Sequence, residues 1–96
     1  MIASDSVVAI EIMWAIRDAG LRMPDDISVV MCDDGPWAMA TTPATAAAAQ
    51  PHDSLGTRSV DLLLRRTAEP HAPIRSLRMP TAFHLRGSVG AVPSAE

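Results

Sequence analysis

The stretch ISVVMCDD, residues 27–34, decides the fold class, because a continuous apolar run ends there in two acids. Such a run is typical of a central parallel strand that is buried on both faces. Asp25 and Asp26 precede the run, where turn formation explains them. Asp33 and Asp34 follow it, at the strand end where open parallel α/β sheets bind ligands. The stretch therefore predicts a buried strand whose carboxyl end carries a candidate ligand site.

A helical pattern precedes this strand. The stretch DSVVAIEIMWAIRDAG, residues 5–20, predicts a helix in which Asp5 or Ser6 caps the first N–H groups and Gly20 closes the end. Apolar residues cover most of its circumference, and one stripe of them is formed by Val8, Ile12, Ala15, Ile16 and Ala19. A helix of this kind usually packs on a sheet. The order of helix and strand therefore indicates an α/β fold.

The segments after the acids are less regular. Residues 35–44 carry a Gly-Pro pair and a second proline, which predicts a loop. The alanine run in residues 45–50 predicts a weak strand. Alternating apolar side chains predict a strand within residues 75–87, and Pro80 restricts it to a sheet edge or a bulge. Residues 88–96 are predicted to be unstructured.

A second helix is predicted over residues 53–67, with Asp53 as its cap. Asp61 precedes Arg65 by four residues, an order that favours an ion pair on the helix surface. Two helices that alternate with predicted strands complete the α/β pattern.

Composition restricts the function classes. The 96 residues carry a net charge of −3, and their eight basic residues are scattered arginines, so no basic face for nucleic acid is evident. The single cysteine, Cys32, excludes an intrachain disulfide and fits a reducing compartment. The amino-terminal stretch lacks a signal-peptide pattern, and no apolar run approaches the roughly 20 residues of a membrane helix. We therefore expect a soluble, cytoplasmic protein without a membrane contact.

Motifs for catalysis and metal binding are absent from the sequence. It contains no phosphate loop, CxxC, HExxH or GxSxG pattern. The three histidines lack metal-ligand spacing (His52, His71 and His84). Cys32 is best explained as a small buried residue near a strand end. Trp37 lies in the predicted loop, where it either covers a pocket or packs on the core. We expect no metal and no cofactor.

Asp5 and Asp33 are the candidate ligand contacts that follow from the residues alone. Asp5 lies between MIA, which resembles the end of an earlier strand, and the first helix. Carboxylates at one edge of a sheet suit hydroxyl-rich ligands, because each accepts two or more hydrogen bonds. The structural alternatives stay open at this point: Asp5 only caps a helix, and Asp34 only begins a turn.

Four joined motifs resemble the C-terminal stretch of the LacI/GalR transcriptional regulators. They are AGLRMPDDISVVMCDD at 19–34, TP at 42–43, QPHDSLG at 50–56 and MPTAFHLRGS at 79–88. The resemblance covers nearly the whole chain, with matching spacings. It implies that residues 1–88 are part of a type I periplasmic-binding-protein-like fold, an α/β fold with a parallel-type sheet and flanking helices. Residues 89–96 are then expected to be a disordered tail.

The same resemblance implies a function. Such domains are cytoplasmic and bind a sugar or related small molecule between two subdomains. The bound effector changes the operator affinity of an N-terminal helix-turn-helix, without catalysis or a cofactor. Neither the helix-turn-helix nor the first subdomain has a counterpart in this sequence. We therefore expect a fragment that reaches DNA only through the missing N-terminal domain, with a homodimer as one possible assembly.

Site residues are carried over position by position. Asp33 matches the first acid of the family's Asp-Asp pair and is the expected contact to effector hydroxyls. Before its first helix the family has two adjacent residues, of which the first faces the ligand and the second caps the helix. Counting back from Gly20 assigns these positions to Asp5 and Ser6. Alignment on the Ser-Asp pair assigns them to Ser4 and Asp5. His52 occupies a hinge-side position that contacts the ligand in some members. The expected ligand-binding set is therefore Asp33, Asp5 and His52.

The second helix is expected to lack its usual surroundings. In the family it packs on the first subdomain, so its apolar side chains should have no natural partner surface (Leu55, Val60, Leu63 and Leu64). We expect marginal stability or self-association as a result.

Two other functions stay open. A fragment of an exported periplasmic sugar-binding receptor would share the fold. A small α/β enzyme would use Asp33, Asp34 and Cys32 as catalytic groups, although no recognised motif supports it.

Overall fold

The computed structural model describes residues 1–92 and shows an α/β chain, as expected. Its elements, in chain order, are β1 (Ile2–Ala3), α1 (Ser6–Asp18), β2 (Val30–Cys32), a 3-10 helix (Pro36–Met39), β3 (Ala46–Ala49), α2 (His52–Ala68) and β4 (Ala82–His84). The 3-10 helix lies within residues 35–44, where the sequence predicted only a loop. The predicted disorder of residues 93–96 falls outside the described residues.

The chain divides into two compact units. The first, here called the sheet unit, comprises Met1–Ala49 and the chain from Ala82 onward. The second, here called the helix unit, comprises Gln50–Thr81 and contains α2.

The sheet unit contains one four-stranded sheet in the order β1-β2-β3-β4. β1 and β2 are parallel, with Ala3 opposite Met31, and β2 and β3 are parallel, with Met31 opposite Ala47. The prediction of a central parallel strand in residues 27–32 is thereby confirmed for Val30–Cys32 but not for residues 27–29, and the alanine run does form a strand. β4 is antiparallel to β3 and lies at the edge, which agrees with the restriction placed by Pro80.

β4 is shorter than the alternation of apolar residues indicated. Only Ala82–His84 pair with β3, and all three are exposed. Pro80 lacks the N–H group that a strand ladder requires, so pairing begins after it. The prediction of a longer strand within residues 75–87 is therefore wrong outside this short segment.

Local chemistry sets both ends of α1. The N–H of Val8 donates to Oδ1 of Asp5 at 2.8 Å, so Asp5 is the cap residue. Gly20 has φ +73° and closes the helix, as predicted. Two bonds complete this end: the N–H of Gly20 donates to the Arg17 carbonyl, and that of Leu21 donates to the Ile16 carbonyl.

The buried face of α1 agrees with the predicted stripe only in part. Ile16 is buried and Ile12 packs on the core, as predicted, whereas Val8 is 38% exposed and Ala15 and Ala19 are also exposed. Ala9, which lies outside the predicted stripe, is buried. Because most of the helix circumference is apolar, the sequence pattern left the buried face undetermined, and packing against the sheet selected it.

Small side chains dominate the core of the sheet unit. The central cluster consists of Ala3, Ala9, Met31, Ala38 and Ala47, and Ile12 and Trp37 pack against it. The many alanines let helix and sheet backbones approach closely, and Met31 is the largest fully buried side chain. Trp37 therefore packs on the core, which decides between its two predicted roles.

Ser88 joins the sheet after β4 instead of opening an unstructured tail. Its hydroxyl donates to the Val29 carbonyl at 2.6 Å and accepts from the Ala46 N–H at 2.8 Å. Its backbone N–H donates to the Ala44 carbonyl and its carbonyl accepts from the Val29 N–H, both at 3.0 Å. Ser88 is fully buried, so the expectation that the unstructured tail begins at this residue is wrong.

α2 confirms the predicted second helix and corrects its cap. Asp53 lies in the first turn, and Pro51 takes the cap position. The negative charge of Asp53 still favours this end of the helix dipole. Asp61 and Arg65 form the expected ion pair at 3.2 Å. Val60, Leu63 and Leu64 are 57–64% exposed, in agreement with the expected lack of a partner surface, whereas Leu55 is half-buried.

Neither helix in the described part of the chain is long and apolar enough to cross a membrane.

Candidate functional site

The candidate site lies where β1 and β2 end. Ala3 is opposite Met31 in the parallel pair of β1 and β2. Asp5 lies two residues after Ala3, and Asp33 lies two residues after Met31. Parallel strands present their carboxyl ends at the same sheet edge, and ligands of open α/β sheets bind there. The structure thus places both predicted carboxylates at one edge.

Asp33 has an unusual backbone. It follows β2 directly, and its N–H donates to the Ala48 carbonyl of β3 at 2.8 Å. Its φ is 95°, and it is the only non-glycine residue with a positive φ among those described. Side-chain-bearing residues rarely adopt such a conformation, and it persists only where the surrounding structure imposes it. The direction in which Asp33 leaves the strand is therefore set by its neighbours.

Asp34 forms a two-pronged ion pair with Arg86. Nη1 of Arg86 donates to Oδ1 of Asp34 at 2.9 Å and Nη2 donates to Oδ2 at 2.8 Å. Nη1 also donates to the Thr45 carbonyl at 2.7 Å. The side chains of Arg86 and Asp34 are only 14% and 20% exposed. The alternative in which Asp34 only begins a turn is therefore wrong.

Arg86 changes the electrostatics of this edge. Its hydrogen bond to Asp34 holds the pKa of that carboxyl below its ordinary value of 3.8, against the opposing effect of burial. The same bond raises the pKa of Arg86. Both groups therefore stay charged throughout the neutral pH range.

Sequence reasoning did not assign a role to Arg86. The available signal was the stretch FHLRGS, in which a single arginine stands between apolar and small residues at a predicted strand end. An arginine flanked in this way is often half-buried and needs an acidic partner. The sequence alone did not identify Asp34 as that partner, because the two residues are 52 positions apart.

Asp5 is exposed and caps α1 through Oδ1. Ser6 is the first helical residue. The assignment of Ser6 as the cap, which came from counting back from Gly20, is therefore wrong. Counting from the Ser-Asp pair, which puts Ser4 before a capping Asp5, matches the observed helix start. A carboxylate has further acceptor capacity after one cap bond, so capping and ligand contact are compatible at Asp5.

His52 and Cys32 occupy different units. His52 is the exposed first residue of α2 and belongs to the helix unit. Cys32 ends β2 as a half-buried free thiol in the sheet unit. Within residues 1–92, no group of three acidic, histidine or cysteine side chains is placed to hold a metal ion. Asp34 is engaged by Arg86, which leaves it poorly suited to act as a catalytic base beside Cys32.

Comparison with known proteins connects this geometry to a family. Residues 1–89 match the family model described as "Periplasmic binding protein-like domain". Among curated relatives, the probable opine utilization operon repressor of Rhizobium rhizogenes is 36% identical over 92% of this chain and 45% of its own length. The ribose operon repressor of Escherichia coli K12 is 31% identical over 88% of this chain and 26% of its own length.

Solved structures show the same likeness. A LacI family transcriptional regulator from Enterococcus faecium, crystallised with bound ribose, superposes with a TM-score of 0.79 at 28% identity. The match covers 92% of this chain and 33% of that one. This chain therefore spans less than half of the length of each of these proteins.

Proposed function

This chain belongs to the periplasmic binding protein-like domain family, and we propose that it is the effector-binding segment of a LacI-type transcriptional regulator. The proposed effector is a sugar or related small molecule, which controls operator binding by a DNA-binding domain outside this chain. The proposed protein is cytoplasmic, performs no catalysis and assembles as a homodimer. Relatives that are repressors, and one that holds ribose in its structure, support this proposal.

The observation that carries the proposal is the placement of Asp33. It lies at the carboxyl end of β2, next to the end of β1, where this type of sheet binds ligands. A carboxylate held there accepts hydrogen bonds from the hydroxyl groups of a sugar, and such charge-assisted bonds are stronger than neutral ones. Arg86 engages both carboxylate oxygens of the second acid, Asp34.

Two further contacts belong to the proposal. Asp5 would accept a sugar hydroxyl with the capacity left after capping α1, and Ser4 beside it would be the contact in the other register. His52 would contribute a ring nitrogen from the start of α2. His52 is proposed from the resemblance alone, whereas Asp5 shares with Asp33 its place after the carboxyl end of a parallel strand.

A chimera tests the proposal directly. This chain would replace the matching 84 residues of the ribose operon repressor of Escherichia coli, which are 26% of its length, and the rest of that repressor would be kept. Operator binding would then be measured against a panel of pentoses, hexoses and disaccharides. We expect at least one sugar to change operator affinity in a saturable way. A chimera that binds operator but responds to no sugar in the panel would overturn the proposed function.

Matched variants identify the contact. In the chimera, Asp33→Ala should weaken sugar binding by about 2–4 kcal/mol, because a charge-assisted bond is lost and sugar hydroxyls are left unpaired. Asp25→Ala is the control, since Asp25 is an exposed residue in the turn before β2, whereas Asp33 follows β2. Equal losses in both variants would contradict the role of Asp33.

A further inference from the structure

We propose that Arg86 is a positioning residue of the sheet edge: through its ion pair with Asp34 it holds the backbone of Asp33 in the positive-φ conformation. The consequence for ligand binding rests on the proposed function. The mechanical role of Arg86 does not, because it concerns only the conformation of this chain.

The conformation of Asp33 requires external restraint. A φ of 95° is one that residues with a side chain rarely adopt. Asp33 is followed by Asp34 and Gly35, and the 3-10 helix begins at Pro36. Aspartate tolerates a positive φ better than most residues, but glycine is the usual residue there, so the local sequence alone does not impose this conformation on Asp33. The restraint must come from contacts with distant parts of the chain.

Two restraints lie on either side of the N–Cα bond of Asp33, and both lead to β3. On one side, the Asp33 N–H donates to the carbonyl of Ala48 in β3. On the other side, both carboxylate oxygens of Asp34 are held by Arg86, which also donates to the carbonyl of Thr45, directly before β3. Arg86 thus ties the residue after Asp33 to the strand that already holds the Asp33 N–H.

The ion pair between Arg86 and Asp34, here called the clamp, is rigid because of its geometry and its surroundings. Two parallel N–H···O bonds fix the relative orientation of the guanidinium and the carboxylate as well as their separation. Limited exposure, 14% for Arg86 and 20% for Asp34, reduces solvent screening of the pair. Hydrogen bonding to Arg86 lowers the pKa of Asp34, so the clamp stays charged at neutral pH.

Nuclear magnetic resonance of the 96-residue chain tests the clamp without any ligand. The readouts are the three-bond HN–Hα coupling of Asp33 and the exchange rate of its amide, compared with the amide of Val29, which donates to Ser88 instead. In Arg86→Met we expect the coupling to move toward that of an extended chain. We also expect Asp33 exchange to accelerate at least tenfold relative to Val29.

Further variants keep the test decisive. Asp34→Asn preserves the shape of the side chain, removes the charge and should give a smaller shift in the same direction, so it replaces Arg86→Met if that variant does not fold. Arg65→Met breaks the exposed pair with Asp61 and should leave Asp33 unchanged. If folded Arg86→Met or Asp34→Asn keeps the coupling and relative exchange of the unmodified chain, the proposal is overturned.

The chimera separates this proposal from the proposed function. There, Arg86→Met should lower the apparent sugar affinity at least tenfold, although Arg86 need not touch the sugar. Loss of affinity in Asp33→Ala but not in Arg86→Met would refute the positioning role and leave the proposed function intact. No loss in Asp33→Ala would refute the proposed contact, while the resonance measurements would still decide the role of Arg86.

Discussion

The sheet unit buries some of its large apolar side chains, whereas the helix unit buries none. In the sheet unit, Val29 and Met31 are fully buried. In the helix unit, none of the residues from Gln50 to Thr81 is buried, and Leu63 and Leu64 remain more than 60% exposed. Leu63 and Leu64 are as apolar as Val29 and Met31, so the chemical nature of these side chains does not explain their different exposure. The difference lies in whether a partner surface is present to cover each side chain.

The same contrast holds for polar groups. The sheet unit contains a half-buried ion pair and a buried serine with two hydroxyl hydrogen bonds. The helix unit contains an exposed ion pair and an exposed serine whose hydroxyl bonds to its own helix. Each unit thus contains an ion pair and a serine hydroxyl that forms hydrogen bonds, and the two units differ in how deeply these groups are buried. Substitution in each pair measures what burial contributes.

The largest expected difference concerns core packing. Met31→Ala removes the largest fully buried side chain and should lower the free energy of unfolding by about 2–5 kcal/mol, from lost burial and the cavity left behind. Leu63→Ala removes a side chain that is 64% exposed and should cost about 0.5 kcal/mol or less. Urea denaturation followed by circular dichroism would measure both. Comparable losses would show that Leu63 is covered in solution, for example by self-association.

The second largest difference in stability is expected between the two ion pairs, Asp34–Arg86 and Asp61–Arg65. Asp34→Asn leaves Arg86 half-buried without its counter-charge and should cost about 1.5–3 kcal/mol at neutral pH. Asp61→Asn breaks an exposed pair and should cost under about 1 kcal/mol. The comparison would fail if urea melts of the two variants gave the same midpoint.

The pH dependence gives an independent check on the same pair. Because Arg86 lowers the folded-state pKa of Asp34, the unfolded state takes up the proton first. The contribution to stability is therefore complete above the ordinary carboxyl pKa of 3.8 and is lost as pH falls through the lower folded value. Asp34→Asn should flatten this part of the curve of unfolding free energy against pH. An unchanged curve between about pH 5 and pH 2 would contradict the ion pair.

The two serines form the third comparison. Ser88→Ala removes a donor to Val29 and an acceptor for the Ala46 N–H, both buried, and should cost about 1–3 kcal/mol. Ser59→Ala removes an exposed hydroxyl that bonds to the Leu55 carbonyl, and it should be neutral within about 0.5 kcal/mol. Thermal unfolding of both variants under identical conditions is the measurement. A neutral Ser88→Ala would mean that water replaces the hydroxyl in the sheet.

The smallest effect is expected at the first acid pair. Asp25 and Asp26 lie in the turn before β2 and are exposed, and Asp26 accepts the Arg22 N–H at 2.7 Å. Asn retains a carbonyl acceptor, so each Asn variant should change stability by less than about 0.5 kcal/mol. A loss at Asp26→Asn above 1 kcal/mol in a urea melt would show that the carboxylate charge, and not only its acceptor, is needed in this turn.

Features set by near neighbours in the chain were determined by the sequence itself. The continuous apolar run predicted the central parallel strand, and Gly20 predicted the end of α1, because a left-handed residue closes a helix locally. The Asp61–Arg65 pair followed from the i,i+4 spacing alone. The placement of Asp33 at the carboxyl end of a parallel strand also followed, since it needed only the strand and its direction.

Only the tertiary structure decided which distant residues meet. It paired Asp34 with Arg86 across 52 positions and inserted Ser88 between Val29 and Ala46. It also selected the buried face of α1, which includes Ala9 in place of Val8 of the predicted stripe. The physical reason is the same in each case: a local pattern specifies which conformation a segment prefers, whereas burial and charge pairing depend on which remote surface arrives beside it.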